Sequence, residues 1–64
     1  MLIAYVKVQQ RINQVEAAPV VVGKIEQTAH DTYAWTSAGF RCLRSSIEEA
    51  KEAARKDYPK CQFH

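Results

Sequence analysis

The chain has 64 residues, of which 47% are hydrophobic and 25% are charged, and its net charge is +2. This composition argues against a disordered chain, and the length limits it to one small domain over residues 1–64 with a marginal core. The small positive charge neither requires nor excludes a nucleic-acid partner.

The first residues show no sign of a signal peptide. Met1 to Lys7 lacks both a charged start and a long apolar run. No stretch of the sequence reaches the roughly 18 apolar residues that a membrane span needs. We therefore expect a cytoplasmic protein without a membrane segment.

Residues 1–18 carry two overlapping patterns. Leu2 to Val8 is rich in β-branched and aromatic residues, which favour a strand. Four apolar residues also repeat at the 3-4-3 spacing of a helix: Tyr5, Val8, Ile12 and Val15. We predict a strand over about residues 3–10, with an N-terminal helix as the alternative. Ala17-Ala18-Pro19 should end either element, because proline cannot donate to a strand ladder.

Residues 20–56 form the centre of the predicted fold. An apolar run at Val20-Val21-Val22 begins a strand that becomes polar towards Thr28. Gly23, inside this strand, indicates a bulge or the close approach of another backbone. Turns at Ala29-His30-Asp31 and Ala38-Gly39 separate it from two further strands: 32–37 and 40–44.

A helix follows the third strand and is predicted from Ser45 or Ser46 to about Asp57. Ser46 and Glu49 have the spacing of a capping box, in which each side chain bonds the backbone of the other residue. Helix should stop before Tyr58-Pro59, because a proline ring disfavours helical backbone at the preceding residue. Residues 59–64 are predicted to be a short tail that frays.

These elements predict an α+β fold, in which a small antiparallel sheet of three or four strands carries one C-terminal helix on one face. Strand alternation places Phe40 and Leu43 on opposite faces, so both faces should carry apolar groups. One helix covers only one face. We expect a second copy of the chain to cover the other face in a two-fold dimer, with residues 1–18 as the alternative cover.

Residues 20–56 resemble a known type of small protein. Val22-Gly23-Lys24-Ile25, Thr32-Tyr33-Ala34-Trp35, Gly39 and Ile47-Glu48-Glu49-Ala50-Lys51 are similar to the short strand–strand–strand–helix proteins of phages and prophages. The layout is also similar to AP2-type and integrase arm-binding folds, whose three-stranded sheet enters the DNA major groove. This chain departs from those folds because its strands lack a dense set of arginines and lysines, so the resemblance does not carry the DNA role.

The aromatic and basic residues of the strands allow two interpretations. Tyr33 and Trp35 share one strand face, and with Phe40 they could stack on bases while cations contact phosphates. Alternatively the rings form the core, because an alanine-rich helix face needs bulky partners. We favour the core and keep a nucleic-acid surface as the alternative, with these residues: Lys24, Tyr33, Trp35, Arg41 and Arg44.

Cysteine and histidine supply candidate zinc ligands. Cys61 and His64 form one close pair, with Cys42 and His30 elsewhere, whereas structural zinc sites usually show two close pairs. We expect no metal. The two thiols should be free, as is usual in the cytoplasm, and a bridge between Cys42 and Cys61 is the alternative.

An acid–base pair could come from His30 and Asp31, with Glu26 across the hairpin. Catalysis also needs a concave site that excludes water, and a chain of this size has little room for one. We therefore expect no cofactor and no enzyme activity. The expected function is a small interaction module, a phage-type accessory protein that binds a host protein and works as a homodimer. A DNA-binding module that uses the sheet face is the alternative.

Overall fold

A computed structural model describes the backbone of residues 1–64 and the side chains of residues 1–11 and 13–64. The chain forms a five-stranded antiparallel sheet with one helix packed on it, which confirms the predicted α+β class. The strand order is β6-β5-β4-β1-β7, and β2 and β3 form a separate two-stranded hairpin. The elements are β1 (Leu2–Val8), β2 (Arg11–Ile12), β3 (Val15–Glu16), β4 (Val20–Ala29), β5 (Thr32–Ser37), β6 (Phe40–Arg44), α1 (Ile47–Asp57) and β7 (Gln62–Phe63).

The N-terminal segment is a strand, as predicted, and not a helix. β1 pairs with β4 inside the sheet, so it does not cover a sheet face. The chain then turns back at residues 13 and 14, whose φ angles of 52° and 64° are those of a two-residue hairpin turn. The 3-4-3 apolar spacing therefore spans a strand and a hairpin, and the prediction of one long element to residue 10 missed the hairpin.

A glycine inside a strand predicts a bulge or a close approach of other atoms, and Gly23 shows both. The pairing of β1 with β4 shifts by one residue beside it, so β4 bulges there. A Cβ atom on Gly23 would also lie 2.5 Å and 2.6 Å from two carbons of the Trp35 ring. The indole therefore rests directly on the glycine backbone.

The core lies between the sheet and α1. Its fully buried side chains come from three central strands and from the alanine face of the helix: Val6, Ile25, Trp35, Ala50 and Ala54. Paired residues on neighbouring strands form continuous rows across the sheet, because opposite residues point to the same face. One such row runs from Ala4 through Ile25 and Trp35 to Cys42.

Trp35 is held by the helix end as well as by the sheet. Its Nε1 donates a hydrogen bond of 2.9 Å to Oδ2 of Asp57, the last residue of α1. The rings of Phe40 and Tyr58 meet it edge-on at centroid distances of 6.1 Å and 6.2 Å. The favoured prediction, that this aromatic residue belongs to the core, is confirmed for Trp35.

The helix begins and ends where the sequence predicts. Ser46 is the N-cap, because its Oγ accepts a 3.1 Å hydrogen bond from the backbone N–H of Glu49. The other half of the predicted capping box differs. The carboxylate of Glu49 accepts a hydrogen bond of 3.1 Å from the hydroxyl of Ser45, the residue before the cap.

The C-terminal tail is ordered against the sheet, so the prediction that it frays is wrong. β7 pairs with β1 and adds a fifth strand, one more than predicted. The ring of Phe63 packs on the core, with Lys51 Nζ 5.5 Å and Arg55 Cζ 5.1 Å from its centroid. These contacts join the tail to one flank of the helix.

Candidate interaction surface

The sheet face away from α1 is the strongest candidate for a functional surface. Two rows of paired residues cross four strands on this side. We call it the helix-free face and define it by these two rows: Tyr5, Lys24, Thr36 and Arg41; then Leu2, Glu26, Ala34 and Leu43. Two bulges shape it, since the register of β1 against β4 shifts after Leu2 and again after Val6.

Large apolar side chains stand at both ends of the helix-free face. Leu2 and Tyr5, on β1, are 44% and 43% exposed, and Leu43, on β6, is 54% exposed. Between them Ala34 is buried by its longer neighbours. Scattered exposed apolar residues are normal, but several on one sheet face form a patch that another molecule can cover.

The middle of the helix-free face carries one ion pair. Lys24 and Glu26 lie two residues apart on β4, and their charged groups are 3.3 Å apart. Both side chains are more than a third exposed, so the pair contributes little to folding stability. Arg41 is the other charged residue of the two rows, which leaves the face with one net positive charge.

A shallow groove opens beside the ion pair. Its volume is about 310 Å³, and its walls come from Tyr5 of β1, residues 21–24 of β4, and residues 36–38 at the end of β5 and in the turn after it. Val21 is 50% exposed here. The groove is open to solvent along its length, and its lining is mainly apolar, which suits contact with a side chain from a partner better than enclosure of a substrate.

The five residues of the predicted nucleic-acid surface are divided between the two sides of the sheet. Lys24 and Arg41 lie on the helix-free face, on one row with Thr36 between them. Trp35 is fully buried under the helix, where its ring is closed to a base. Tyr33 and Arg44 oppose each other on that same helix-facing side. The structure therefore does not bring the five predicted residues together on one surface.

The residues considered for zinc do not assemble. In the part of the chain that the structure describes, no group of three or more histidine, cysteine or acidic side chains could hold a metal ion. Cys42 and Cys61 are free thiols. Burial raises the pKa of the Cys61 thiol above its ordinary value, while nearby Arg55 opposes this shift, so the thiol is protonated at neutral pH.

The histidine considered for acid–base chemistry lies at the tip of a hairpin. His30 Nε2 and Asp31 Oδ1 are 3.7 Å apart, and both side chains are almost completely exposed. Bulk water surrounds such a pair, whereas acid–base catalysis uses a concave site that excludes water.

Comparison of the chain with protein-family models, with curated proteins and with solved structures gives no match. In the part of the chain that the structure describes, no helix has the length and apolar character of a membrane span.

The sequence interpretation overlooked Leu2 and Tyr5 as surface residues. Both lie in a segment whose strand and helix patterns overlapped, and the bulge after Leu2 brings them to one face although they are three residues apart. A regular strand would place them on opposite faces. The sequence correctly predicted that Leu43 and Phe40 lie on opposite faces of the sheet, since Leu43 pairs with Ala34 on the helix-free face.

Proposed function

We propose that the protein is a small non-catalytic interaction module that presents its helix-free face to another protein and works as a two-fold homodimer. The observation that carries this proposal is the set of Leu2, Tyr5 and Leu43, which are about half exposed on one sheet face. Completing the burial of each would contribute roughly 1 kcal/mol, half the value for a fully exposed large side chain. This energy is available to a partner without any change in the fold.

The chemistry of the face defines the partner. The apolar ends of the face fit an apolar surface on the partner. Arg41 adds a cation that is not paired with a carboxylate among the described residues. A partner should therefore carry a carboxylate opposite Arg41, inside or beside an apolar patch. The resemblance of residues 20–56 to phage and prophage proteins supports a host protein as this partner. The two free thiols support a cytoplasmic location.

Site-specific crosslinking tests the proposal. A photoreactive amino acid replaces Thr36, which lies in the middle of the helix-free face, and a matched variant carries it at exposed Glu48 on the helix. In cells that make the protein, the first variant should crosslink to a polypeptide and the second should not. Addition of Tyr5→Lys should abolish the adduct, since it places a cation at an apolar anchor.

Two results would contradict the proposal. The first is the same adduct from position 48 as from position 36. The second is an adduct from position 36 that survives Tyr5→Lys, because contact would then not depend on the apolar end of the face. The melting temperature of Tyr5→Lys should be near that of the unchanged protein, since Tyr5 is not a core residue.

DNA binding is the second candidate, and one observation favours it. Lys24 and Arg41 lie on one row of the helix-free face, two strands apart, a separation of about 10 Å. Such a pair can contact phosphates. Two features weigh against it: Glu26 already pairs with Lys24, and the buried Trp35 offers no stacking surface.

Titration with duplex DNA of arbitrary sequence separates the two candidates. Binding that falls steeply as salt rises, and that weakens in Arg41→Ala but not in Arg44→Ala, would support the DNA module. Arg44 is the matched control because it lies on the other side of the sheet. The protein-binding proposal predicts no measurable affinity for DNA at physiological salt.

A further inference from the structure

The two edges of the sheet differ in whether another part of the chain covers them. At one edge β7 covers part of β1, and the tail is fixed there by Phe63. At the other edge β6 is paired on one side only, over five residues in continuous register from Phe40 to Arg44. An open strand of this kind offers unpaired backbone N–H and C=O groups to another strand. It contains no proline, and its register shows none of the shifts seen in β1 and β4.

The side chains of β6 are compatible with pairing to themselves. Antiparallel pairing of two copies about a two-fold axis at Cys42 sets Phe40 opposite Arg44 of the second copy. It also sets Arg41 opposite Leu43 of the second copy. Each arginine then lies against an apolar side chain, and Phe40 with Arg44 can form a cation–π contact. Shifting the register by one step towards Phe40 would instead place Arg41 opposite itself, which is repulsive.

The helix above this edge is also self-complementary. A groove of about 500 Å³ lies between α1 and β6, and five residues line it: Arg44, Glu49, Glu52, Ala53 and Lys56. Two carboxylates and two cations therefore face the edge around a small residue. A two-fold axis perpendicular to the sheet reverses the direction of the second helix, so the acidic first half of one helix lies beside the basic second half of the other.

The opposite flank of the helix is already occupied. Lys51 and Arg55 lie over the ring of Phe63 at the β7 side. Of the two flanks of α1, the one towards β6 is thus the flank left open to a second helix.

We propose that two copies of this chain pair antiparallel along β6, about a two-fold axis at Cys42, into one ten-stranded sheet with both helices on the same side. This inference rests on the proposed function, because it locates the dimer on which that function depends. It differs from the sequence expectation that a second copy covers the second sheet face. Face-to-face stacking would bury the Lys24–Glu26 pair and incur its desolvation cost, whereas edge pairing leaves the helix-free face open and doubles it.

A charge swap across the predicted register tests this interface. In Leu43→Lys, the new cation lies opposite Arg41 of the second copy, and this happens twice because of the two-fold axis. Leu43 is 54% exposed in the single chain, so the fold should persist. In Arg41→Glu/Leu43→Lys, opposite charges face each other at both places. Tyr5→Lys is the matched control, since it alters the helix-free face far from β6.

The readout is the mass from light scattering after size exclusion, with circular dichroism as the check of folding. The unchanged chain and Tyr5→Lys should have twice the 7.3 kDa mass of one chain. Leu43→Lys should have the mass of one chain. The double variant should again have the mass of the dimer. A folded monomer for the unchanged chain would overturn the proposal. So would a dimer that Leu43→Lys leaves intact, or a monomeric double variant.

If a variant does not fold, hydrogen exchange on the unchanged protein tests the interface instead. Amides of β6 should become more protected as protein concentration rises, while those of the β2–β3 hairpin should not change. Equal exchange of β6 at all concentrations would overturn the edge pairing. A dimer that Leu43→Lys leaves intact would overturn the edge pairing alone, and loss of the Thr36 crosslink would overturn the partner surface alone. A folded monomer of the unchanged chain would also remove the homodimer from the proposed function.

Discussion

Replacing Gly23 by alanine tests the packing on which the whole fold depends. The added Cβ would lie 2.5 Å from a carbon of the Trp35 ring, and it would also meet the backbone carbonyl oxygen of Thr36. To reach an ordinary van der Waals contact of about 3.4 Å, the ring must move by about 0.9 Å in a close-packed core. It is held there by Asp57, Phe40 and Tyr58.

The expected cost follows from these contacts. Overpacking of a tight core typically costs about 1–3 kcal/mol. The Thr36 carbonyl group cannot move away from the new Cβ without disrupting the pairing of β4 with β5. We expect Gly23→Ala to lower the free energy of unfolding by about 2 kcal/mol or more. The total for a chain of this length is about 3–10 kcal/mol. The melting temperature should fall by roughly 8–16 °C.

Gly39→Ala is the matched control for this experiment. Gly39 has open space around its Cβ position but a φ of 88°, so alanine there incurs only backbone strain of about 1 kcal/mol. Urea unfolding followed by tryptophan fluorescence measures both variants, because the chain has a single tryptophan. A loss for Gly23→Ala no larger than that for Gly39→Ala would refute the placement of the indole on Gly23.

Three further pairs of substitutions test the helix and the tail, and each pair contains a matched control. Ser46→Ala should lower the free energy of unfolding by about 1 kcal/mol and Ser45→Ala by less, and equal losses would contradict the assigned cap. Asp57→Ala should cost about 1–3 kcal/mol, because it leaves the indole N–H without its acceptor, whereas Asp57→Asn should restore most of this. Phe63→Ala should cost about 2 kcal/mol and Gln62→Ala almost nothing, and equal stability of the two in thermal melts would show that the tail does not dock.

Local signals in the sequence located some elements well. The strand from Thr32 to Ser37 and the strand from Phe40 to Arg44 have the predicted bounds, because alternation and turn residues define them locally. The helix cap at Ser46 is likewise a local feature. The docking of Phe63 depends on Val6, which is 57 positions away in the sequence, and no local pattern reports such a contact.

The hairpin after β1 was missed for a chemical reason. Its turn uses Asn13 and Gln14 at positive φ, and the second position of such a turn is usually glycine. The sequence therefore lacked the usual marker of a tight turn.

The candidate surface was only partly predictable. Alternation correctly placed Tyr33 and Trp35 on one face, but it does not say which face the helix covers. Lys24 and Arg41 then fell on the opposite face from both rings. Leu2 and Tyr5 join them only because of a bulge in the pairing, which depends on the partner strand and not on β1 alone.

The solvent exposure of methyl groups shows whether α1 covers one sheet face while the other face stays open. A soluble gadolinium chelate added to the methyl-labelled protein broadens the resonances that solvent reaches. We predict strong broadening for Leu2 and Leu43 and almost none for Val6 and Ile25, which are fully buried. Equal protection of Leu2, Leu43 and Ile25 would contradict the account, because the helix-free face would then already be covered.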